Sequence, residues 1–183
     1  MKRSIKELLS LKALKYLFYI PVIIFKIKNW RSFILSYVGL KNEAITFYFR
    51  NGTKIKTESW IDAITIFVIF IRKDYGEIKD NSVVIDIGAN IGIFSIYAAL
   101  TSKNSIIYAY EPIVKSYELL IENIKLNKIE KNIFPFQKGV GAVQETRKIF
   151  LSDSSQFHSL YSDNESNKKF IEISLISLAD IFI

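Results

Sequence analysis

The stretch SVVIDIGANIGIFSIYAAL, residues 82–100, decides the fold. It begins as a continuous run rich in β-branched residues and passes through Gly88 and Gly92 into a helix-like pattern. Such a run predicts a buried parallel strand, a tight turn and the start of a helix. Glycine suits this turn because a ligand can approach the backbone closely, and the helix N-terminus presents free N–H groups there. The stretch therefore predicts a ligand site at the end of a strand.

Two further strand-like segments follow this stretch. NSIIYAYEP, residues 104–112, carries Glu111 near its end, and a third strand is predicted from Ile133 to Gly141. Between them a helix is predicted from Ile113 to about Asn127. Its expected core face consists of Leu119, Leu120, Ile124 and Leu126. The β-α-β-α-β order predicts an α/β fold, a Rossmann-like open and mostly parallel sheet with flanking helices.

Ligands of such a sheet bind beyond the carboxyl ends of the strands, where the glycine turn and Glu111 should converge. Glu111 follows Gly88 at about the spacing, roughly 20 residues, of an acidic residue that binds ribose hydroxyls. A dinucleotide fingerprint would need further glycines at positions now occupied by Asn90 and Ile93. Asp86 would repel a pyrophosphate but attract an ammonium or sulfonium group. S-adenosylmethionine is therefore favoured over NAD.

Composition excludes several other chemistries. The 183 residues include no cysteine and one histidine, so disulfides, thiolate zinc sites, cysteine nucleophiles and multi-histidine metal sites are excluded, and no metal site is predicted. The net charge is +7, and residues 1–50 hold ten Lys or Arg and two Glu. Because this charge lies on an apolar, aromatic arm, we expect a membrane surface or another polyanion as its partner, and no nucleic acid.

The first 80 residues are expected to form that arm, and residues 81–183 the core. YLFYIPVIIF, residues 16–25, is too short to span a bilayer, which needs about 20 residues. It is either an interfacial helix, with membrane contact through residues 1–31, or a helical layer that packs on the domain. Asn51-Gly52 predicts a β-hairpin, and Ile61–Ile71 is expected to be a helix.

The blocks VVIDIGANIGIFSIYAA, IIYAYEP, ELLIENIKLN, FQKGVGA and ISLADIF resemble those of the FkbM-type methyltransferases, a branch of the class I S-adenosylmethionine-dependent enzymes. The resemblance covers roughly residues 83–182. It implies O-methylation of a sugar, polysaccharide or polyketide hydroxyl, with a small-molecule or glycan acceptor. It also implies cofactor contacts to the methionine part and to the ribose hydroxyls. The residues for the methionine part would be Asp86, Gly88, Ala89, Asn90 and Gly92, and Glu111 would bind the ribose.

One departure from that family bears on activity. The family continues into a strand with a Lys-x-Asp-x-Glu-Gly pattern, whereas this chain ends at Ile183 in an apolar segment. We therefore expect a truncated, incomplete class I sheet, completed by a partner chain or left open at one strand edge. The alternative to an enzyme is an inactive remnant that acts as a membrane-surface or partner-binding module.

No catalytic residue is assigned from the sequence. His158 is a solitary histidine in the polar stretch Ser152–Asn167, which is expected to be a mobile loop over the crevice. The lack of an export signal and of cysteine predicts a cytoplasmic location, with the inner membrane surface as an alternative.

Overall fold

The computed structural model describes residues 17–150 and 170–182. These residues form two compact units. Unit 1 comprises the described residues up to Glu77 together with Leu126–Lys128, and unit 2 comprises the remainder from Ile78 onward. Residues 1–16, the polar stretch Ser152–Asn167 and its His158 lie outside the described residues, so the expectations for them stay predictions.

Unit 1 contains helices and one hairpin. Its elements are α1 Ile20–Lys26, α2 Trp30–Tyr37, β1 Ile45–Tyr48, β2 Lys54–Thr57 and α3 Trp60–Ile66, which continues as a π-helical segment, Phe67–Arg72. The last two elements confirm the helix predicted over Ile61–Ile71. Helix α3 begins at a capping box, in which the Asp62 carboxylate accepts the backbone N–H of Ser59 and the Ser59 side chain accepts a backbone N–H in return.

The hairpin is confirmed at Asn51-Gly52. Strands β1 and β2 are antiparallel, from Ile45 opposite Thr57 to Tyr48 opposite Lys54. Gly52 has φ +97°, and the Asn51 side chain accepts the backbone N–H of Thr53 at 3.1 Å. Gly52 supplies the positive φ of the turn, and the Asn51 side chain supplies a local hydrogen bond to the backbone, as is typical of Asn in turns.

The N-terminal arm contributes to the core of unit 1. Pro21 lies in the first turn of α1, where a missing N–H has no intrahelical partner to lose. Ile23 and Ile27 are buried, and the Tyr19 ring meets the Phe67 ring edge to face at 5.3 Å between centroids. Of the two alternatives for residues 16–25, an interfacial helix or a helical layer packed on the domain, this arrangement corresponds to the packed layer. Within the described part of the chain, no helix is long and apolar enough to cross a membrane.

Unit 2 is built on a parallel three-stranded sheet in the order β3-β4-β5. Its elements are β3 Val83–Ile87, α4 Ile93–Thr101, β4 Ile106–Tyr110, α5 Val114–Asn127 and β5 Ile133–Phe136. The predicted α/β fold with a parallel sheet and flanking helices is thereby confirmed. Helix α5 buries Leu119, Leu120 and Ile124 as expected, but it buries Asn123 rather than Leu126.

The edge of β3 that faces away from β4 pairs with no strand among the described residues. On one face of the sheet, Val83 and Ile87 of β3 are 66% and 53% exposed. The expectation that this edge lacks a parallel neighbour stays a prediction.

The third predicted strand, Ile133–Gly141, is wrong as one element. It breaks at Gln137-Lys138 into β5 and β6, Gly139–Gly141, which belongs to a second sheet in the order β6-β8-β7. The partners of β6 are β7 Glu145–Phe150 and β8 Phe170–Ser177, which is followed by a short helix, α6 Leu178–Ile181. The physical reason is close packing, because a Cβ on Gly139 would come within 2.5 Å of the Leu175 side chain on β8.

Candidate cofactor site

The turn after β3 is fastened to the end of β4. The backbone N–H groups of Gly88 and Ala89 both donate to the carbonyl of Tyr110, at 2.9 and 3.0 Å. Three turn residues adopt the left-handed region, with φ of +74° at Gly88, +50° at Asn90 and +85° at Gly92. The chain can thus reverse tightly beside the residue that follows Tyr110, which is Glu111.

Glu111 joins this turn to the start of α5. Its Oε2 accepts the backbone N–H of Asn90 at 2.8 Å, and its Oε1 accepts the backbone N–H of Ile113 at 2.9 Å. The side chain is 6% exposed. Each carboxylate oxygen retains a second lone pair, so Glu111 can still accept hydrogen bonds from two ligand hydroxyls. Glu111 can therefore hold the backbone just before α5 and still bind the hydroxyls of a ribose.

Asp86 is the second buried carboxylate of the site. It lies near the end of β3, is 9% exposed and accepts a hydrogen bond of 2.5 Å from the Ser95 hydroxyl on α4. Burial raises the pKa of the Asp86 carboxyl, and the hydrogen bond from Ser95 opposes part of that rise. Ser95 itself is fully buried, so its hydroxyl holds the Asp86 side chain in one orientation.

The two carboxyls influence each other. Burial raises the pKa of Glu111, the backbone N–H groups of Ile113 and Asn90 oppose that rise, and the charge of Asp86 adds to it. Two neighbouring buried carboxylates favour a ligand that carries positive charge, since such a ligand relieves their repulsion. This electrostatic environment is unsuited to a pyrophosphate.

The two glycines of the turn serve different purposes. A Cβ on Gly88 would meet no described atom within 4 Å, so this backbone faces open space that a ligand can enter. A Cβ on Gly92 would collide with the side chain of Leu120, which is fully buried on α5. Gly88 therefore permits approach of a ligand, whereas Gly92 permits close packing of the turn against a helix.

Asn90 contributes an unused acceptor. Its side-chain Oδ1 is buried and has no hydrogen-bond partner within residues 17–150 and 170–182. Buried polar atoms are rarely left unpaired, because the lost hydration costs about 1–3 kcal/mol. A ligand N–H or O–H would satisfy this oxygen. Acceptors on Asn90 and Glu111, the negative charge of Asp86 and the open side of Gly88 thus fit S-adenosylmethionine, which carries an ammonium, a sulfonium and ribose hydroxyls.

The structure brings all six predicted residues to one place. Asp86, Gly88, Ala89, Asn90 and Glu111 surround or support the open side of the turn, while Gly92 lies at its packed side. Their roles toward a cofactor stay predictions. Over the described ranges, no group of three or more His, Asp and Glu residues is arranged to hold a metal ion.

Two supporting residues were missed by the sequence analysis. Asn123 is fully buried and donates from its side-chain amide to the carbonyl of Ile91 at 2.9 Å, which fixes the turn against α5. Ser95 fixes Asp86. A signal existed for Asn123, since an amide in the apolar stripe of a helix needs a buried partner. Ser95 gave no comparable signal.

Comparison with known proteins finds similarity to a methyltransferase domain and to enzymes whose names specify tRNA. A family model described as the TRM5/TYW2 methyltransferase domain matches residues 72–160. The tRNA(Phe) (4-demethylwyosine(37)-C(7)) aminocarboxypropyltransferase of Methanocaldococcus jannaschii is 46% identical over 57 residues, which cover 31% of this chain and 22% of the relative. The tRNA (guanine(37)-N(1))-methyltransferase Trm5b of the same organism is 32% identical over 116 residues, which cover 60% of this chain and 32% of the relative.

A solved structure is also similar. Methanocaldococcus jannaschii TYW2 in complex with AdoMet is 24% identical, with a TM-score of 0.42 and coverage of 60% of this chain and 65% of that one. The chain spans about a fifth to a third of the length of the two curated relatives above.

These findings correct two expectations. The assignment to the FkbM-type family is wrong, since the domain that matches is the TRM5/TYW2 methyltransferase domain. The expected small-molecule or glycan acceptor, and the expectation of no nucleic acid, are wrong because the relatives modify tRNA. The reason is that blocks such as DIGANIG and YEP describe a turn that binds a cofactor, and they carry no information about the acceptor. The matched domain confirms the prediction of a methyltransferase core.

Proposed function

We propose that this protein is an S-adenosylmethionine-dependent methyltransferase that modifies RNA of the tRNA class. The observation that carries the proposal is the glycine turn itself, where Glu111 accepts the backbone N–H of Asn90, the charge of Asp86 acts on Glu111, and the backbone at Gly88 is open. This site lies within residues 72–160, which match a methyltransferase domain. The acceptor class is supported by the tRNA substrates in the names of the two relatives.

The residues of the site would divide the cofactor between them. Asp86, held by Ser95, would bind the ammonium of the methionine part, and Glu111 would accept from the ribose hydroxyls. The side-chain oxygen of Asn90 would accept one further N–H or O–H group. Bound in this way, S-adenosylmethionine supplies an electrophilic methyl group to an acceptor positioned by the protein.

A second reaction is favoured by one specific relative. The enzyme that is 46% identical over 57 residues transfers an aminocarboxypropyl group rather than a methyl group. Both groups are attached to the same sulfonium in S-adenosylmethionine, so a single cofactor site is compatible with either reaction. The outcome depends on which carbon next to the sulfur lies nearest the acceptor atom.

A labelling experiment separates these reactions. Two RNA substrates are used, an unmodified tRNA transcript and a tRNA(Phe) that carries 4-demethylwyosine at position 37, since the aminocarboxypropyl-transferring relative acts on that base. The chain is incubated with each of them and with S-adenosylmethionine labelled either in the methyl carbon or in the carboxyl carbon. We expect label in the RNA from the methyl-labelled cofactor and none from the carboxyl-labelled cofactor, and the reverse would establish aminocarboxypropyl transfer. A chain that binds both S-adenosylmethionine and tRNA but transfers neither label would contradict the proposed function.

Glu111→Gln provides the matched variant for this assay. The amide retains the size of the side chain, but its NH2 group would face a backbone N–H that now donates to the carboxylate. We expect a higher KM for the cofactor and reduced transfer. Glu118→Gln on α5, the helix that follows Glu111, is the control, since Glu118 lies outside the site.

A further inference from the structure

The hairpin of unit 1 has two different faces. Phe47 and Ile55 are fully buried, whereas the residues that alternate with them, Tyr48 and Lys54, point outward and are exposed. Alternation of this kind is expected of a strand pair with one face on the core. Tyr48 and Lys54 lie directly opposite each other in the register, so their side chains are neighbours on the outer face.

A third extended segment widens this outer face. Ile27 pairs with Phe49 in an antiparallel bridge, and both side chains are buried. The next residue, Lys28, donates its backbone N–H to the carbonyl of Tyr48 at 2.7 Å and is exposed. Lys28, Tyr48 and Lys54 therefore form a row across three adjacent segments, with about 5 Å between neighbouring backbones.

The row is held in place before any partner binds. The Asn29 side chain donates to the carbonyl of Thr46 at 2.9 Å and accepts the backbone N–H of Tyr48 at 3.1 Å. The backbone N–H of Arg50 donates to the carbonyl of Lys26 at 2.8 Å. A partner would therefore meet an ordered backbone, which reduces the entropy lost on binding.

The charge of this surface is strongly positive. Residues 26–56 contain seven Lys or Arg and one acidic residue, Glu43. Glu43 forms an ion pair with Lys41 at 2.9 Å. In the part of the chain that the structure describes, Lys28, Arg50 and Lys54 have no carboxylate partner. We define the outer face of the hairpin as Lys28, Tyr48, Arg50 and Lys54.

We propose that the outer face of the hairpin binds the backbone of RNA, with Tyr48 stacking on a base or contacting a sugar. The inference rests on the proposed function, which supplies RNA as the substrate. An exposed aromatic ring, 45% accessible, between unpaired cations is the combination that binds nucleic acid, because cations neutralise phosphates and bases stack on rings.

The test measures the affinity of the full chain for a fluorescently labelled, unmodified tRNA transcript over a series of salt concentrations. The double variant Lys28→Gln/Lys54→Gln removes two phosphate contacts. We expect its slope of log K against log salt to be smaller by about 1.5 than that of the wild type. Lys41→Gln is the matched control, since it removes a cation of the same unit that already has a carboxylate partner.

Variants of Tyr48 separate stacking from charge. Tyr48→Ala is expected to weaken tRNA binding about ten-fold at every salt concentration, with an unchanged slope, whereas Tyr48→Phe retains wild-type affinity. These side chains are exposed, so the fold should persist. Fluorescence of Trp30 and Trp60 verifies this, because both tryptophans lie in unit 1.

The outcomes distinguish this inference from the proposed function. If the wild type binds tRNA and the double variant shows the slope of Lys41→Gln, the inference is wrong and the proposed function stands. If the outer face binds tRNA as described but no label is transferred, the proposed function fails and the inference stands. Sedimentation with anionic vesicles that requires Lys28 and Lys54, with tRNA binding that does not, would also overturn the inference.

Discussion

Replacement of Gly88 and Gly92 by alanine should separate binding of the cofactor from stability. Both glycines adopt positive φ, so alanine at either position costs about 1–2 kcal/mol of folding free energy through backbone strain. Gly92→Ala also forces a methyl group against buried Leu120, and such overpacking costs a further amount of about 1–3 kcal/mol. We therefore expect Gly92→Ala to lose about 2–5 kcal/mol in total, and Gly88→Ala only about 1–2 kcal/mol.

For cofactor binding, Gly88→Ala should have the larger effect and Gly92→Ala the smaller one. A methyl group on Gly88 would project into open space at the turn, where the cofactor is proposed to bind. Gly88→Ala should therefore weaken S-adenosylmethionine binding at least ten-fold in chains that remain folded. Gly92→Ala, measured at a temperature where the variant is folded, should bind more tightly than Gly88→Ala.

The assay combines urea unfolding, followed by far-ultraviolet circular dichroism, with calorimetric titration of the cofactor. Tryptophan fluorescence is unsuitable as the only probe, because Trp30 and Trp60 both belong to unit 1 and the glycines belong to unit 2. Equal destabilisation by the two variants would refute the packing role of Gly92. Unaltered cofactor binding by Gly88→Ala would refute the assignment of the open side of the turn.

Three further predictions concern buried polar side chains. Asp86→Asn should weaken S-adenosylmethionine binding at least ten-fold while leaving stability at neutral pH equal or higher, because a buried charge is removed and the amide oxygen can still accept from Ser95. Titration and urea unfolding check this, and a clear loss of stability would contradict it. Asn123→Ala should lower the free energy of unfolding by about 1–3 kcal/mol and weaken cofactor binding, because its side chain holds the turn through the carbonyl of Ile91. Lys125→Ala on the same helix is the control and should have a negligible effect; equal effects in urea unfolding would show that this hydrogen bond is unimportant. Asp62→Ala should destabilise unit 1 by about 1–3 kcal/mol, measured by unfolding followed through tryptophan fluorescence, because the Asp62 carboxylate accepts the backbone N–H groups of Glu58 and Ser59. Asp74→Ala on the surface should change the free energy of unfolding by less than about 0.5 kcal/mol, and an Asp62→Ala variant as stable as the wild type would contradict the capping role.

The raised pKa values of Asp86 and Glu111 imply a defined pH dependence. Burial raises both pKa values, so the folded chain holds these protons more tightly than the unfolded chain. The contribution of the two groups to stability is therefore present below their unfolded pKa values and is lost as pH rises through the folded ones. Cofactor binding has the opposite sign, because it needs the ionised carboxylates. We expect titrations to show affinity falling, as pH is lowered, at a higher pH than ordinary carboxyl groups would give.

The fold of unit 2 could be predicted from sequence because its signals are local. The β-branched run VVIDI, the glycines after it and the acidic end of IIYAYEP each specify their own element. The break between β5 and β6 could not be predicted in this way, since it depends on Leu175 packing over Gly139. Contacts between residues so distant along the chain leave no periodicity in either segment.

The candidate site also combines features that local sequence predicts with features that depend on distant contacts. Asp86, Gly88 and Glu111 follow from their positions, since parallel strands end at one edge of the sheet, whereas Asn90 was assigned only through the resemblance of the DIGANIG block. The separate role of Gly92 depends on Leu120, which lies on another helix. The acceptor was predicted wrongly because the motifs describe only the cofactor turn.

The basic N-terminal charge was visible in the sequence, but its arrangement was not. Only the strand register shows that Lys28, Tyr48 and Lys54 form one row. Composition assigned the charge to an apolar arm, and that assignment favoured a membrane over nucleic acid.

Calorimetric titration of the folded chain with S-adenosylmethionine, alongside Asp86→Asn, tests the central claim most directly. We predict saturable binding at one site by the wild type and at least ten-fold weaker binding by the variant, since the buried carboxylate beside the turn is removed. A folded wild-type chain that gives no binding heat at any temperature tried, or that binds no better than Asp86→Asn, would contradict the claim that this turn is a cofactor site.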